Sequence, residues 1–247
     1  MKEWLSGRNP VYETLRARRR QVFRLWLARG AQEKGRLAEI LKLCAERKIP
    51  IEAVERSRLE ALSPGNQGVA LEASAYPYTT LVDMLDLAEQ RREPPFLLLL
   101  DTLQDPQNLG SLLRTAEAVG VHGVLLPFNR TATVTPAVVH ASSGACEHLL
   151  IGQANLAQAI AELKKADIWV IGLEDAPEAH LPAQVRLDGA LALVVGNEAE
   201  GMRLLVRKSC DILMRLPMRG QIESLNAAVA GSIALYLAST FRNQQAV

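Results

Sequence analysis

The sequence predicts an α/β protein with a mostly parallel sheet, preceded by a smaller α/β domain. From residue 96 onward, short apolar runs alternate with segments of helical periodicity, as in a parallel sheet whose two faces are both covered by helices. Before residue 74, a basic segment alternates helices and strands over a length that suits a small domain. With 247 residues, of which 49% are hydrophobic and 22% charged, the chain has the composition of a globular protein.

Residues 1–73 are predicted to form the small domain. The predicted elements, in chain order, are helix 8–20, strand 22–27, helix 31–48, strand 49–54, a short helix from 58 and strand 68–72. Ala75-Tyr-Pro-Tyr78 cannot continue a central strand, because proline has no N–H to donate. We therefore interpret residues 74–95 as a linker.

Residues 96–247 are predicted to form the parallel-sheet domain. The predicted strands are Phe96–Leu100, Gly123–Leu126, Ile168–Gly172, Ala190–Gly196 and Ile212–Leu216. The predicted helices are Leu109–Val119, Pro136–Ala141, Leu156–Lys165, Arg203–Lys208 and Leu225–Thr240. In sheets of this kind ligands bind beyond the carboxyl ends of the strands, so polar residues at those ends are candidates for a site.

The net charge of +1 conceals a strong asymmetry along the chain. Residues 1–60 carry 15 Lys and Arg against 8 Asp and Glu, whereas the remainder carries 13 against 19. A basic module beside an acidic one favours nucleic-acid contact by the first domain. A solvated helix face around Arg16-Ala-Arg-Arg-Arg20 is the other interpretation of the same charges.

Several functional classes are excluded or disfavoured by missing motifs. There is no dinucleotide-binding glycine fingerprint, and Met202 occupies the position where a P-loop spaced from Gly196 and Gly201 would need lysine. The four histidines lack zinc-ligand spacing, and no nucleophile elbow of a hydrolase is present. No apolar run is long enough for a membrane span and no signal sequence opens the chain, so we expect a cytoplasmic protein without membrane association. Its three widely spaced cysteines suit free thiols.

The first candidate segment, Asn108-Leu-Gly-Ser-Leu-Leu-Arg114, follows the strand that begins at Phe96. Asn108 is suited to cap a helix starting at Leu109. Arg114 lies within that helix near leucines of its buried face, and an arginine in such surroundings needs an anionic or polar partner. A helix cap with an ordinary surface arginine is the alternative.

Two further candidate segments follow later strands. Gly196-Asn-Glu-Ala-Glu-Gly-Met202 offers glycines that let the backbone approach a ligand, although its acidic residues would also suit the first turn of a helix. In Leu216-Pro-Met-Arg-Gly-Gln-Ile-Glu-Ser-Leu-Asn226, Ser224 is a natural N-cap, whereas Asn226 would lie inside the predicted helix. Asparagine is unfavourable there unless its side chain has a function.

Taken together, the three segments resemble the motifs of the SPOUT superfamily, in particular its TrmH-like RNA ribose 2′-O-methyltransferases. The resemblance covers nearly the whole chain, and the branch of bacterial 23S rRNA guanosine-2′-O-methyltransferases is the most similar. It implies a deep trefoil knot in the second domain and an L30e-like RNA-binding fold for the first. It also implies S-adenosylmethionine as cofactor without a metal, and a homodimer.

The resemblance also assigns expected roles to individual residues. Contacts with the cofactor are expected from Gly196, Gly201, Leu216, Met218 and Leu225. The catalytic site is expected to comprise Asn108, Arg114, Glu198, Ser224 and Asn226. Since arginine is effectively always charged, we interpret Arg114 as an electrostatic stabiliser of the attacking 2′-oxygen and a clamp on phosphate, not as a general base.

The alternatives differ in substrate or in class. The first alternative is 2′-O-methylation of tRNA. The basic residues belong to a separate folded domain, which favours 23S rRNA over tRNA. A non-catalytic RNA-binding protein on the same fold is the second; it would be expected to lose some of Arg114, Glu198 and Asn226, which are all present. A nucleotide-binding metabolic enzyme is the third, and it would not explain the basic first domain.

Overall fold

The computed structural model describes residues 2–197, 200–222 and 224–244. The strands are β1 (Lys2–Ser6), β2 (Val22–Ala28), β3 (Ile51–Val54), β4 (Val69–Ser74), β5 (Phe96–Leu100), β6 (Gly123–Leu126), β7 (Ile151–Gln153), β8 (Trp169–Leu173), β9 (Leu191–Val195) and β10 (Ile212–Met214). The helices are α1 (Arg8–Ala17), α2 (Arg36–Glu46), α3 (Arg56–Glu60), α4 (Leu81–Arg91), α5 (Pro106–Ala118), α6 (Pro136–Ala141), α7 (Leu156–Lys165), α8 (Leu204–Ser209) and α9 (Ala227–Gln244).

The chain divides into two compact units. The first unit comprises the residues up to Pro77 together with Val134–His148, and the second comprises Tyr78–Thr133 and the residues from Leu149 onward. Within the described ranges, none of the helices combines the length and the apolar character that a membrane span requires.

The sheet of the first unit is mixed. Its strand order is β1-β4-β2-β3, with β4 antiparallel to both β1 and β2, and with β3 parallel to β2. The sequence did not predict β1, because a short run that opens with Lys2 and Glu3 lacks a clear apolar alternation. Leu5 nevertheless lies fully buried in the core of this unit.

The sheet of the second unit is parallel, as the continuous apolar runs predicted. Its strand order is β10-β8-β9-β5-β6-β7. Helices α4, α7 and α8 cover one face, where Leu97, Leu99 and Val194 lie in one apolar cluster with their side chains. Helices α5 and α9 pack together, and α9 packs on β8 and β9. The prediction missed β7, which is only three residues long.

The segment Val134–His148 departs from the predicted domain boundaries. The prediction assigned it to the domain 96–247, whereas the structure groups it with the first unit, where α6 packs against β1 and the following 3-10 turn packs against α1. The guanidinium of Arg20 is buried, with Nη2 2.8 Å from Glu147 Oε1 and Nη1 2.9 Å from Glu3 Oε2. Burial lowers the pKa of Arg20, but the two carboxylates outweigh that effect and raise it. A buried charge needs such partners, so the segment belongs where Arg20 lies.

The three cysteines are free thiols, as predicted. Cys44 and Cys146 are buried, and Cys210 is half-buried. Burial raises the pKa of Cys44 to about 11 and those of Cys146 and Cys210 to about 12. At neutral pH all three therefore stay protonated and weakly nucleophilic.

Candidate active site

A cleft of about 240 Å³ opens at the carboxyl ends of strands β8, β9 and β10 in the second unit. It is lined by Leu173, Glu174, Asp175, Val195, Gly196, Asn197, Gly201, Arg215, Leu216, Met218, Ser224, Leu225, Ala227 and Ala230. Every residue predicted to contact the cofactor lies in this lining, together with Ser224 from the predicted catalytic set. Three segments that are distant in sequence therefore meet at the edge of the sheet where ligands bind in α/β proteins.

Gly196 is required by the close approach of two backbone segments. A Cβ atom at this position would lie 2.4 Å from the carbonyl carbon of Gly201 and 2.5 Å from the nitrogen of Met202. The loop between Asn197 and Gly201 is closed by paired backbone bonds, in which Asn197 N donates to Gly201 O at 3.0 Å and Gly201 N donates to Asn197 O at 2.9 Å. Gly196, Asn197 and Gly201 therefore form one wall of the cleft. The predicted catalytic residue Glu198 lies outside the described residues.

A buried carboxylate ties this wall to the loop that follows β5. Asp101 is fully buried, and its Oδ2 accepts from Arg203 N while its Oδ1 accepts from Arg203 Nε, both at 2.8 Å. Asn197 Nδ2 donates to Thr102 O at 3.0 Å. Thr102 has φ of 60°, an unusual conformation for a β-branched residue that surrounding contacts must maintain. Asp101 and Arg203 thus position two loops of the site.

Asn226 and Asn108 connect the start of α9 with the first turn of α5. Asn226 Oδ1 accepts from Ala228 N at 2.9 Å and from Val229 N at 3.2 Å, so Asn226 caps α9. Its Nδ2 donates to Asn108 Oδ1 at 3.1 Å. Because α9 begins at Ala227, the prediction that Ser224 caps a helix from Leu225 is wrong. The Asn226 amide, which was unfavourable within the predicted helix, instead stabilises the beginning of α9.

The cap predicted for α5 is also wrong. The helix begins at Pro106, one turn earlier than expected, and Asp105 is the N-cap, with its side chain accepting from Gln107 N at 3.0 Å. Proline suits the first helical position because its missing N–H would have no partner there. Asn108 therefore lies within the first turn, where its side chain meets Asn226.

Arg114 is exposed on α5, and the inference that it sits among apolar neighbours is wrong. Leu112, Leu113 and Ala116 form the buried face of the helix, and Arg114 points away from it. It is not part of the lining of the cleft. The neighbouring Thr115 instead faces α9, with its Oγ1 2.9 Å from Ser232 Oγ.

Sequence reasoning missed two acidic residues of the cleft. Glu174 and Asp175 follow β8 directly and line the cleft, and Glu174 Oε1 accepts from Arg207 Nε at 2.6 Å. Asp175 Oδ1 lies 3.7 Å from Arg215 Nη1. The other segments were found because polar residues directly follow a buried strand. The same criterion, applied to β8, would have found Glu174 and Asp175. Within the described ranges, no group of three His, Cys, Asp or Glu side chains is placed to hold a metal ion.

Comparison with known proteins agrees with this geometry. The profile described as "SpoU rRNA Methylase family" matches residues 95–236, and the profile described as "RNA 2'-O ribose methyltransferase substrate binding" matches residues 4–79. The chain is 40% identical over 245 residues to the putative TrmH family tRNA/rRNA methyltransferase YacO of Bacillus subtilis, covering 98% of this chain and 96% of that protein. It is 37% identical over 236 residues to the 23S rRNA (guanosine-2′-O-)-methyltransferase RlmB of Pseudomonas putida, covering 95% and 94%.

Solved structures share the same fold. The SpoU methyltransferase AviRb of Streptomyces viridochromogenes, solved with the cofactor AdoMet, superposes with a TM-score of 0.81 at 23% identity, covering 99% of this chain and 91% of that one. An AdoMet-bound rRNA methyltransferase from Sinorhizobium meliloti superposes with a TM-score of 0.78 at 22% identity, covering 97% and 87%.

Fold, cleft and relatives together define an S-adenosylmethionine-dependent RNA 2′-O-methyltransferase. Within that class the chain belongs to the SpoU rRNA methylase family, the TrmH-like branch of the SPOUT superfamily. The family assignment predicted from the three sequence motifs is confirmed.

The cleft fits the cofactor of this class. S-adenosylmethionine combines a flat base, ribose hydroxyls and a positively charged end. Leu173, Leu216 and Leu225 supply apolar contact for a base, and the carboxylates of Glu174 and Asp175 can accept hydrogen bonds or oppose positive charge.

Proposed function

We propose that this enzyme methylates the 2′-hydroxyl of a guanosine ribose in 23S rRNA. The observation that carries the proposal is the meeting of the second and third motif segments in one cleft, beside the bond that joins Asn226 to Asn108 of the first segment. The guanosine and the 23S rRNA follow the relative from Pseudomonas putida, whose name specifies both. A 23S rRNA substrate also implies a cytoplasmic location.

A tRNA substrate is the second candidate. It is favoured by the relative from Bacillus subtilis, whose name includes both tRNA and rRNA. The catalytic chemistry would be the same in either case. The charge of the first unit, with 15 Lys and Arg in residues 1–60, supports RNA binding without distinguishing the two substrates.

The second unit is proposed to carry the reaction through alignment and electrostatic stabilisation. The cofactor would supply a methyl group bonded to its sulfonium sulfur: as the ribose 2′-oxygen bonds to that carbon, the carbon–sulfur bond breaks and S-adenosylhomocysteine leaves as a neutral thioether. Gly196, Leu216 and Leu225 would hold the cofactor in the cleft, with Gly201 and Met218 beside them, while Asn108, Ser224 and Asn226 would fix the surrounding loops and the target ribose. Orientation of this kind contributes on the order of 7–11 kcal/mol in well-aligned reactions.

Arg114 is proposed to stabilise the developing negative charge of the 2′-oxygen and to bind the adjacent phosphate. Its guanidinium remains charged, so the proton passes to a phosphate oxygen or to water rather than to arginine. Glu198 is proposed to orient Arg114 and the ribose. The solvent exposure of Arg114 on α5 suits a group that meets a large substrate from outside the cofactor cleft.

A homodimer is proposed to complete the site. Val229, Ile233 and Tyr236 are spaced to form one stripe on α9, and their exposed fractions are 48%, 41% and 58%. The other side of the helix is buried through Ala234, Leu235 and Ala238. An apolar stripe of this kind favours a protein contact, and a second copy of the chain would also cover Leu225 at the cleft. Tyr236→Asp is expected to yield a monomer in sedimentation analysis; a variant that remains dimeric would contradict this interface.

Two aspects of the fold are part of the same proposal. The second unit is proposed to contain the deep trefoil knot implied by the family, with the C-terminal segment threaded through it. The first unit is proposed to be the L30e-like RNA-binding domain. The match of the substrate-binding profile to residues 4–79 and the mixed sheet with flanking helices support that assignment. The predicted linker 74–95 is not a separate segment, because the residues from Tyr78 onward, including α4, belong to the second unit.

Methyl transfer from labelled S-adenosylmethionine tests the function. Unmodified 23S rRNA and unmodified tRNA are offered in parallel, and the product nucleoside is identified by mass spectrometry. We expect 2′-O-methylguanosine in 23S rRNA only; label confined to tRNA would overturn the substrate but keep the chemistry. Arg114→Ala should abolish transfer and Arg114→Lys should retain part of it, whereas Arg186→Ala, at an exposed arginine paired with Asp188, should have no effect.

A further inference from the structure

A second, polar cleft lies in the first unit. It has a volume of about 520 Å³ and is formed by the start of α1, helix α3 and the loop that precedes β4. Its lining consists of Arg8, Arg56, Glu60, Pro64, Asn66, Gln67 and Gly68. None of the three motif segments contributes a residue to this polar cleft.

The loop that forms one wall is held in a specific shape by a buried amide. Asn66 is 4% exposed; its Nδ2 donates to Ser63 O and its Oδ1 accepts from Gly68 N, both at 2.8 Å. Gln67 and Gly68 have φ values of 52° and 80°, so two successive residues adopt the left-handed conformation. Such a conformation is unfavourable for glutamine, and residues held in this way are concentrated at functional sites.

Gln67 presents its amide NH₂ group as a hydrogen-bond donor. Arg8 N donates to Gln67 Oε1 at 2.9 Å, and since a backbone N–H can only donate, the amide oxygen must face it. The Nε2 group then points away from Arg8 N. Among the described residues no acceptor for Nε2 is found, whereas the side-chain and backbone oxygens of Gln67 both accept from Arg8.

Two arginines in the cleft are not neutralised by the protein. Arg8 Nε donates to Gln67 O at 3.3 Å, which orients the guanidinium and leaves its two terminal nitrogens for another partner. Within the described part of the chain, neither Arg8 nor Arg56 forms an ion pair. Other surface arginines of the same unit do have carboxylate partners, as in Arg16 with Glu13 and Arg29 with Glu55.

We propose that this cleft binds the phosphodiester backbone of the RNA substrate. Arg8 and Arg56 would contact phosphate oxygens, for which the arginine fork is well suited, and Gln67 Nε2 would donate to a phosphate or to a base edge. The inference rests on the proposed function, because that function supplies the RNA. Glu60 lines the same cleft and opposes phosphate binding by like-charge repulsion.

The test measures the affinity of the full chain for unmodified 23S rRNA transcript by filter binding at several KCl concentrations. The variant is Arg8→Gln with Arg56→Gln, and its matched control is Arg16→Gln with Arg29→Gln, which removes the same charge from arginines that already have partners. We expect the cleft variant to bind roughly 10- to 100-fold more weakly, with a salt slope smaller by about 1.4–1.8 for two lost phosphate contacts. The control should change affinity less than about 3-fold.

Two further variants keep the inference falsifiable. Glu60→Gln should strengthen binding by roughly 2- to 5-fold, because a repulsive charge is removed. Arg56→Gln alone replaces an exposed side chain that makes no hydrogen bond among the described residues, so it should fold normally and still weaken binding.

Failure of RNA binding by this cleft can be distinguished from failure of the proposed function. Equal affinities of the cleft variant and its control, with wild-type binding intact, would overturn this inference and leave the proposed function standing. A wild-type chain that binds S-adenosylmethionine but neither 23S rRNA nor tRNA would overturn the proposed function and this inference with it.

Discussion

The two units use buried arginine–carboxylate contacts in different ways. In the first unit the side chains of Arg20 and Glu147 are both completely shielded from solvent, and neither residue lines the two clefts described above. In the second unit Asp101 is buried but the side chain of Arg203 remains 45% exposed, and the loops they connect form a wall of the cofactor cleft. The first pair therefore stabilises a fold, whereas the second pair positions a site. The difference lies in the surroundings: the loops joined by Asp101 and Arg203 reach the lining of a cleft, whereas Arg20 and Glu147 are enclosed by the fold.

The largest effect is expected at the fully buried pair. Glu147→Ala leaves the Arg20 charge without its main partner and should lower the free energy of unfolding by about 3–5 kcal/mol. Urea unfolding measures the change. Glu55→Ala, which removes an exposed partner of Arg29, is the control and should cost at most about 1 kcal/mol. A loss at Glu147 as small as that of the control would remove the distinction between the two kinds of pair.

The next effect is expected in the second unit and should appear in cofactor binding. Asp101→Asn keeps the size of the side chain but removes the charge that Arg203 contacts, a loss of about 1.5–3 kcal/mol for hydrogen bonds to a charged group. Calorimetric titration with S-adenosylmethionine should show a Kd raised roughly 10- to 100-fold. Asp188→Asn, at the surface partner of Arg186, should leave the Kd unchanged. An unchanged Kd in Asp101→Asn would show that the connection does not shape the cleft.

A smaller effect should separate the two asparagines. Asn226→Ala removes the cap of α9 and should reduce stability by about 1 kcal/mol, because two backbone N–H groups lose their acceptor. Asn108→Ala breaks the same bond between the two side chains without removing a cap. Both should lower methyl transfer, and thermal unfolding should distinguish them. Equal stability of the two variants would argue against the capping role of Asn226.

The smallest effect concerns pH. His122 is buried, which lowers its pKa even though Glu93 opposes the shift; Arg91 and Arg242 reinforce it. Phe96 N donates to His122 Nδ1 at 3.0 Å, so Nε2 carries the proton of the neutral ring. The contribution of His122 to the free energy of unfolding is therefore fully present above the pKa of about 6.5 that it has in the unfolded chain. That contribution declines as the pH falls toward the lower pKa of His122 in the folded protein.

His122→Gln should flatten that decline in urea unfolding measured between pH values of about 5 and 8. His180→Gln, at an exposed histidine, is the control and should retain the wild-type profile. A profile unaffected by either substitution would mean that other groups set the acid sensitivity.

Much of the second unit could be predicted because its strands and motifs can be recognised from short stretches of sequence. Buried parallel strands are continuous apolar runs, and the motif residues follow them directly, so the five predicted cofactor contacts and Ser224 all lie in the lining of the cleft, whereas Glu174 and Asp175 were missed. The starts of helices were harder to predict. Asp105 and Asn108 are similarly suitable caps for α5, as Ser224 and Asn226 are for α9, and only the folded structure selects between them. The exposure of Arg114 depends on the rotation of α5, which a neighbouring run of leucines does not determine.

The first unit was harder to predict because it is formed by two segments that are far apart in the sequence. Helix α6 has an apolar face wherever it packs, so its sequence cannot say which sheet it joins. The partner of Arg20 lies 127 residues away, and no local pattern connects them. The polar cleft was missed for the same reason, because Arg8, Arg56 and Gln67 come together only when the sheet has formed.

The return of Val134–His148 to the first unit has a consequence during synthesis. N-terminal domains commonly fold as they leave the ribosome, at translation rates of about 5–20 residues per second. Here the ribosome must translate from Pro77 to Glu147 before Arg20 can find its counter-ion, a delay of about 4–14 s at those rates. During that interval β5, α5 and β6 emerge in between. The nascent chain therefore carries an incomplete first unit until Val134–His148 has been translated.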